Sequence, residues 1–341
     1  MATTESQLED QKPGTGAEGG TAGEEVEARV GWRYTLAKVK RDATARIGLY
    51  IVGLVLFVAV FAAIDSNLSR LTFDAVSDYT IAQALPIFDH PTRIPPPGEG
   101  NPNQPPMFLE GGTLSQPLGT DPQGRDYFTR VVYGSQVSVS VGLASTAIGL
   151  IGGTIIGSIA GYYGGRVDDL LMRSVETVYA IPPLVLIIVF TVFISGGSPD
   201  IQYAVIGVGI AFIPVFARII RSRVLSVREM DYIEAARAAG VKDRNIIRRH
   251  VIPNSFAPVM VYATLQIGVT ILIVAGLSFL GYGAQPPTPD WGEMLRIAHG
   301  RYMHSNIWLS IWPGLAILVT IMGFNLFGDG LQDALDPRIE N

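Results

Sequence analysis

The sequence predicts an all-α polytopic membrane protein with six transmembrane helices and both termini cytoplasmic. Three observations carry that prediction. The 341 residues are 48% hydrophobic and only 16% charged, with a mean hydropathy of +0.32, whereas soluble domains carry about 25% charged residues. Six stretches come near the ~20 largely apolar residues that a membrane helix requires. Lys and Arg are segregated between alternate loops, and positively charged loops stay in the cytoplasm.

The elements follow in chain order. Residues 1–31 form an acidic tail. Up to residue 30 it holds seven acids against Lys12 and Arg29, which accounts for the whole net charge of −5. Rich in Gly, Ala, Glu and Thr and without an apolar run, it reads as disordered and has no signal-peptide pattern. Residues 32–65 contain the first span, Ile47–Ile64. Residues 66–136 form an outer loop with a proline-rich stretch, Pro91–Pro106, that reads as an extended spacer. Residues 137–330 form the membrane core, with spans at Ser138–Ala160, Val175–Ile194, Tyr203–Ile220, Ala257–Leu280 and Ile307–Phe327. A charged inner loop, 221–254, joins the fourth span to the fifth, and 331–341 form an inner tail. With this topology only Arg70, Arg93, Arg125, Arg130, Arg296 and Arg301 of the 25 basic residues lie outside.

Small residues stud the second and fourth spans, among them Gly152, Gly153, Gly157, Gly161, Gly164, Gly165, Gly207 and Gly209. They let helices approach closely in lipid. Pro182-Pro183, Pro214 and Pro313 should kink or break their helices. Glu176, near the inner end of the third span, has Arg173 three residues earlier as a partner on the same face. The spans hold no other ionisable relay, which disfavours proton or sodium coupling.

Catalytic chemistry finds little support. There is no cysteine, hence no disulfide, thiolate ligand or cysteine nucleophile. None of the four lysines, Lys12, Lys38, Lys40 and Lys242, precedes Ser or Thr, so a Gly-Lys-Ser/Thr phosphate loop is absent. His90, His250, His299 and His304 form no short-spaced metal cluster. Neither a Gly-x-Ser-x-Gly elbow nor a His-Glu-x-x-His pair occurs. No catalytic residue, metal site or nucleic-acid partner is expected.

The inner loop is the most informative segment. Asp231 and Glu234 have the spacing of a capping box. A short helix, Tyr232–Ala239, should follow and stop at a left-handed Gly240. A second helix, Lys242–Val251, then leads through Pro253 into the fifth span. Ala235, Ala236, Ala238 and Ala239 make a surface small enough to enter a groove on another protein. Read from the residues alone, Glu234 serves equally well as a cap for its own helix, and the alanines as helix formers.

Glu234-Ala235-Ala236, Gly240 and His250-Val-Ile-Pro253 together resemble the Glu-Ala-Ala signature of binding-protein-dependent ABC importer permeases. The Arg-His-x-Ile-Pro-Asn ending is similar to the oligopeptide, dipeptide and nickel subfamily. So are Pro117-Leu-Gly-Thr-Asp-Pro-Gln-Gly-Arg-Asp126, Gly161-Tyr-Tyr-Gly-Gly165 with Asp168, and Ala217-Arg218. Further on, Leu277-Ser-Phe-Leu-Gly281, Pro286-Pro-Thr-Pro-Asp-Trp-Gly292 and Asn325 to Pro337 continue the likeness to the second permease subunit. The resemblance runs from about residue 115 to the C-terminus. Gln116 stands where the family often has His, and Val274 where it usually has Glu.

That resemblance implies a type I ABC importer transmembrane fold in the cell membrane. The chain would form a pseudo-symmetric pore with a homologous but distinct permease. Two ABC ATPase subunits, which would bind the ATP and Mg, dock on the inner side, and an extracytoplasmic solute-binding protein delivers di- or oligopeptides. Asp231, Tyr232, Glu234, Ala235, Ala236, Arg237, Ala239 and Gly240 are the expected ATPase-coupling residues. Pro117, Gly119, Asp121, Gly124, Arg125, Asp126, Pro287, Asp290 and Trp291 are the candidates for binding-protein contact, with simple bracing of the loops as the alternative. Nickel or another small solute is the alternative cargo. A non-transporting scaffold or a membrane enzyme is the alternative of another class.

Overall fold

The computed structural model describes residues 41–72, 76–96, 100–194, 196, 200–301 and 305–335. The acidic tail lies outside the described residues, as does the end of the C-terminal tail. Regular structure within them is helical apart from two isolated bridges. Helix α1 spans Ala43–Asp65, and two short helices, α2 (Leu68–Leu71) and α3 (Thr80–Ala84), follow. The core comprises α4 (Tyr127–Tyr163), α5 (Gly165–Tyr179), α6 (Pro183–Ile194), α7 (Ile201–Arg228), α8 (Asp231–Ala238), α9 (Asp243–Ile246), α10 (Ile252–Phe279), α11 (Trp291–Arg301) and α12 (Trp308–Leu335). A π turn over Ile247–Val251 fuses α9 to α10.

Five helical stretches are long and apolar enough to cross a membrane: α1, α4, α7, the run from Asp243 to Phe279, and α12. The third expected span is different. Instead of one helix over Val175–Ile194, α5 stops at Tyr179 and α6 starts at Pro183, bent by 89°. Pro182 and Pro183 supply no N–H, so the ladder cannot continue through them. Pro214 and Pro313, each alone, lie inside helices that run on. Arg173 and Glu176 are both exposed and form no ion pair among the described residues, contrary to the pairing expected of them.

The helices also outrun their apolar segments. No proline occurs between Pro122 and Pro182, and α4 starts eleven residues before the expected Ser138. Its cap is Asp126, whose carboxylate accepts from the Thr129 N–H at 2.7 Å. Asp42 caps α1 and Asp200 caps α7 in the same manner.

Close approach of α4 and α7 organises the core. Gly149, Gly153, Gly157 and Gly161 recur every fourth residue and form one ridge along α4. A Cβ at Gly153 would lie 2.3 Å from Phe216 Cβ, and one at Gly157 would lie 2.4 Å from the Ala217 carbonyl oxygen. Phe212, Phe216, Ile220 and Val224 of α7 fill the space those glycines leave, and all four are buried. Small residues here act by packing, the usual device where lipid gives helices no hydrophobic reason to associate. Helix α12 seals α1 likewise, with Gly330 against Ala45.

The proline-rich stretch is not a detached spacer. Asn103 and Thr120 exchange backbone hydrogen bonds with Asp121 and Gln104, and Met107 N–H reaches the Pro117 carbonyl at 3.2 Å. Gln104 and Pro106 are buried. Tertiary partners from 117–121 fold residues 100–107 back into a compact lobe ahead of the start of α4.

Candidate functional site

The arginine-rich end carries the coupling-loop candidate. Helix α7 ends at Arg228, and the extended backbone of Met230 starts α8. The expected capping box is absent. Met230 is the cap, no side-chain cap bond forms, and Asp231 and Glu234 both lie within the first turn. Their carboxylates are exposed and favour the positive end of the helix dipole without closing a ring. One residue of register separates the two arrangements, and spacing alone does not specify it.

The far end of α8 matches expectation. Gly240 has φ +76°. Its N–H bonds to the Arg237 carbonyl at 2.9 Å, while Val241 N–H reaches back to Ala236 at 3.1 Å. The two bonds together are a Schellman cap, which satisfies carbonyls that the helix end would leave open. Lys242 is extended, and α9 begins at once. A sharp corner between two helices results.

Two buried isoleucines hold this corner on the membrane core. Ile233 and Ile246 are fully buried, in one cluster with Val224, Val227 and Val251. The opposite side of α8 is open: Tyr232, Glu234, Ala235, Arg237, Ala239 and Gly240 are exposed, and Ala236 is half-buried against the core. The loop is therefore a compact knob with its apolar anchor inward and its small residues outward.

Tyr162, at the end of α4, ties the knob to the spans. Its hydroxyl donates to Asp243 Oδ1 at 2.7 Å and accepts from Arg237 Nε at 3.3 Å. The Arg237 guanidinium also lies over the ring, 4.9 Å from its centre. Arg228 donates to the Gly161 and Tyr162 carbonyls, two of the orphan acceptors at the end of α4. These groups line a cleft of about 380 Å³ that includes Tyr163 and Glu229. Nearby, Arg221 of α7 makes a two-pronged ion pair with Asp168 of α5, both bonds 2.5 Å. Arg237, one of the expected ATPase-coupling residues, is engaged within its own chain. Tyr162 was missed because its partners lie 75 and 81 residues away. The available signal was a tyrosine pair directly after an apolar run, where a hydroxyl can seek a polar partner.

The proline-rich end gathers the other candidates, with most of their side chains turned inward. Asp121, Arg125, Asp126, Asp290 and Trp291 are each at most 3% exposed. Asp121 pairs with Arg125 at 2.6 Å and with Arg130 at 3.5 Å. Arg130, also buried, donates to the Pro91 and Pro287 carbonyls at 2.8 and 3.3 Å, joining three loop segments. Asp290 accepts from Ser138 Oγ and from the Glu293 N–H, and so caps α11. Burial pushes the Asp290 carboxyl above the usual carboxylate range. The Trp291 indole donates to the Val131 carbonyl. Gly119 and Gly124 both have φ +79° and serve the turns between these groups. Pro117 is half-buried and accepts from Met107.

Residues 153–341 match the family described as binding-protein-dependent transport system inner membrane component. The dipeptide transport system permease protein DppC of Alkalihalophilus pseudofirmus is 37% identical over 310 residues, covering 91% of each chain. The glutathione transport system permease protein GsiD of Pectobacterium atrosepticum is 40% identical over 232 residues, 68% of this chain and 76% of that one. Among solved structures, the inward-facing MetNI methionine ABC transporter superposes with a TM-score of 0.50 at 19% identity. That match covers 61% of this chain and 98% of the other, and it speaks for the fold alone.

Proposed function

The chain belongs to the binding-protein-dependent transport system inner membrane components, as an ABC permease of the oligopeptide and dipeptide type, and from that premise we propose that it forms one half of a peptide-importing pore. The observation that carries the proposal is the knob. An eight-residue helix ends in a Schellman cap, is anchored by Ile233 and Ile246, and presents exposed Glu234, Ala235 and Ala239. Such a body can be pushed without deforming.

In this proposal the six spans count α5 and α6 as one broken crossing, both termini are cytoplasmic, and the knob faces the cytoplasm. A second, related permease completes the pore. Two ATPase subunits bind ATP and Mg and seat Asp231, Tyr232, Glu234, Ala235, Ala236, Ala239 and Gly240 in their grooves. The ATPases supply the chemistry, and this chain converts their closure into movement. Because a ligand shifts a conformational equilibrium only by its differential affinity, the grooves must hold the knob differently in their open and closed states. Arg237 acts from within, passing force through Tyr162 to α4, and Ile246 passes it to α10.

At the opposite end the buried Asp121, Arg125, Asp126, Asp290 and Trp291 hold the shape of the face on which a solute-binding protein sits. Pro117, Gly119, Gly124 and Pro287 set its turns. Relatives named for dipeptides and for glutathione support a short-peptide cargo.

Native mass spectrometry of the complex drawn from membranes by this chain, with peptide uptake into vesicles, tests the proposal. Two ATPases, one different permease and ATP-dependent peptide uptake are expected. A homodimer without nucleotide-binding partners would overturn it.

A further inference from the structure

Between Pro106 and Gln116 the chain makes three tight turns, closed by Leu109 N–H to Pro106, Gly112 N–H to Leu109 and Gln116 N–H to Thr113. The turns are pinned from beneath by Met107 N–H on the Pro117 carbonyl and by Gln104 Nε2 on Thr113 Oγ1 at 2.9 Å. They drive Met107, Phe108, Leu109 and Leu114 outward, at 50, 63, 44 and 81% exposure. Four large apolar side chains within eight residues are costly to keep in water, and a patch of this kind marks a surface that meets something else.

Its position identifies the occupant. The Phe108 ring meets Trp312 edge-on, with centres 6.1 Å apart and planes at 72°. Trp312 stands one turn inside α12, below Trp308 at its start, near the end of a helix apolar enough to cross a membrane. Aromatic rings at that level belong to the boundary between headgroups and acyl chains. Ile311 beside it and Leu315 and Leu318 deeper along α12 are exposed, so Phe108 continues the exposed apolar surface of a helix long and apolar enough to cross a membrane. Glu110 is the single charge between Met107 and Thr120, which suits the headgroup level and not the hydrocarbon interior.

We propose that the Met107–Leu114 turns are a membrane-interface foot. Their apolar side chains enter the headgroup boundary beside α12 and fasten the proline-rich lobe to the bilayer surface. The lobe is held to the spans by Arg130 and Asp121, so the foot fixes the tilt of the whole loop assembly relative to the membrane plane.

The chain has no cysteine, so single cysteines can report directly. Phe108→Cys, Leu114→Cys and, as a control on exposed polar backbone, Asn101→Cys are labelled with a small fluorophore. The labelled chain is assembled with partner subunits lacking reactive cysteines, in phosphatidylcholine–phosphatidylglycerol nanodiscs. Nitroxides on the lipid headgroup should quench the labels at 108 and 114 several-fold more than the label at 101, and nitroxides at the acyl-chain end should not. The Leu114 variant keeps the test valid if the Phe108 change disturbs Trp312. Equal quenching at all three sites would place the turns in water and overturn the proposal. Shielding from both lipid nitroxides and aqueous iodide would mean that a protein covers the patch. Loss of lipid quenching on adding the binding protein would point to that protein as the occupant. Either result also overturns it.

Discussion

Gly240 offers the sharpest perturbation, because its surroundings remove every variable except backbone conformation. No atom would lie within 4 Å of a Cβ added there, yet φ is +76°. Within this chain, substitution is thus free of steric conflict and differs only in tolerance of the left-handed region. A side chain with a Cβ costs roughly 1–2 kcal/mol in that conformation, and Asn less. A difference of one or two kcal/mol is a factor of roughly 5–30 in a conformational equilibrium. Gly240→Asn, Gly240→Ala and Gly240→Val should therefore open the cap increasingly, in that order, with Gly240→Pro the most severe because it also removes the N–H that bonds to Arg237. Hydrogen exchange at the amides of residue 240 and Val241, measured on the permease without its ATPases so that no groove covers the knob, reads the opening directly. Peptide uptake per ATP hydrolysed reads its consequence and should fall in the same order while membrane insertion stays normal. If Ala and Val exchanged as slowly as Gly, the left-handed cap would not be what holds the corner. Faster exchange with unchanged uptake per ATP would separate the cap from coupling and refute the proposed use of the knob.

Three further outcomes are expected. Gly153→Val should destabilise the solubilised chain by about 3 kcal/mol, the upper part of the overpacking range, because the added group meets Phe216 Cβ at 2.3 Å and the Ala217 backbone at 2.8 Å. Gly314→Ala, inside α12 with open space around it, should not destabilise and should gain up to about 1 kcal/mol in the same thermal unfolding assay. Tyr162→Phe keeps the ring under Arg237 and deletes the hydroxyl bond to Asp243. Bonds to charged groups contribute about 1.5–3 kcal/mol, so uptake per ATP should drop while chain abundance holds, and an unchanged ratio would remove Tyr162 from the force path. Burial raises the Asp126 carboxyl from 3.8 to about 6. A carboxyl raised on folding contributes stability that is complete below the unfolded value and is lost as pH rises through the folded one. Melting temperature should therefore decline between about pH 4 and pH 6 on this group's account. Asp126→Asn, still a good cap, should flatten that decline, and identical pH slopes for the two proteins would contradict it.

Apolar length made most of the spans legible, because about 20 residues without charge can do little else. Their ends were not legible. Arg130 and Asp126 read as outer-loop residues, yet they are buried at the start of α4, where Asp121 and Pro91 hold Arg130 and Thr129 bonds one oxygen of Asp126. Hydropathy cannot register partners that folding brings from elsewhere. Pro182-Pro183 announced a break but not its 89° angle, which depends on what α5 and α6 each pack against. The left-handed Gly240 was readable because only glycine enters that region freely. The capping box failed by one residue, since Met230 begins the helix and puts Asp231 inside it. The spacer reading of Pro91–Pro106 failed for the same reason as the span ends: Thr120 and Asp121, supplied by chain folding back, bond the backbone of Asn101, Asn103 and Gln104.

The π turn at Ile247–Val251 sets a phase. Five residues along an α-helix advance the direction of a side chain by about 500°, leaving two such residues well apart around the axis. The wider π turn, with one more residue per closure, brings Ile246 and Val251 nearly into line, and both are fully buried in the same cluster. The junction between knob and span behaves like a keyed shaft. Its residue count determines which way the knob points, and deleting one residue there would rotate α8 by about 100° without touching its cap. Partner grooves cut for one orientation would then meet the wrong face, although every helix remained intact.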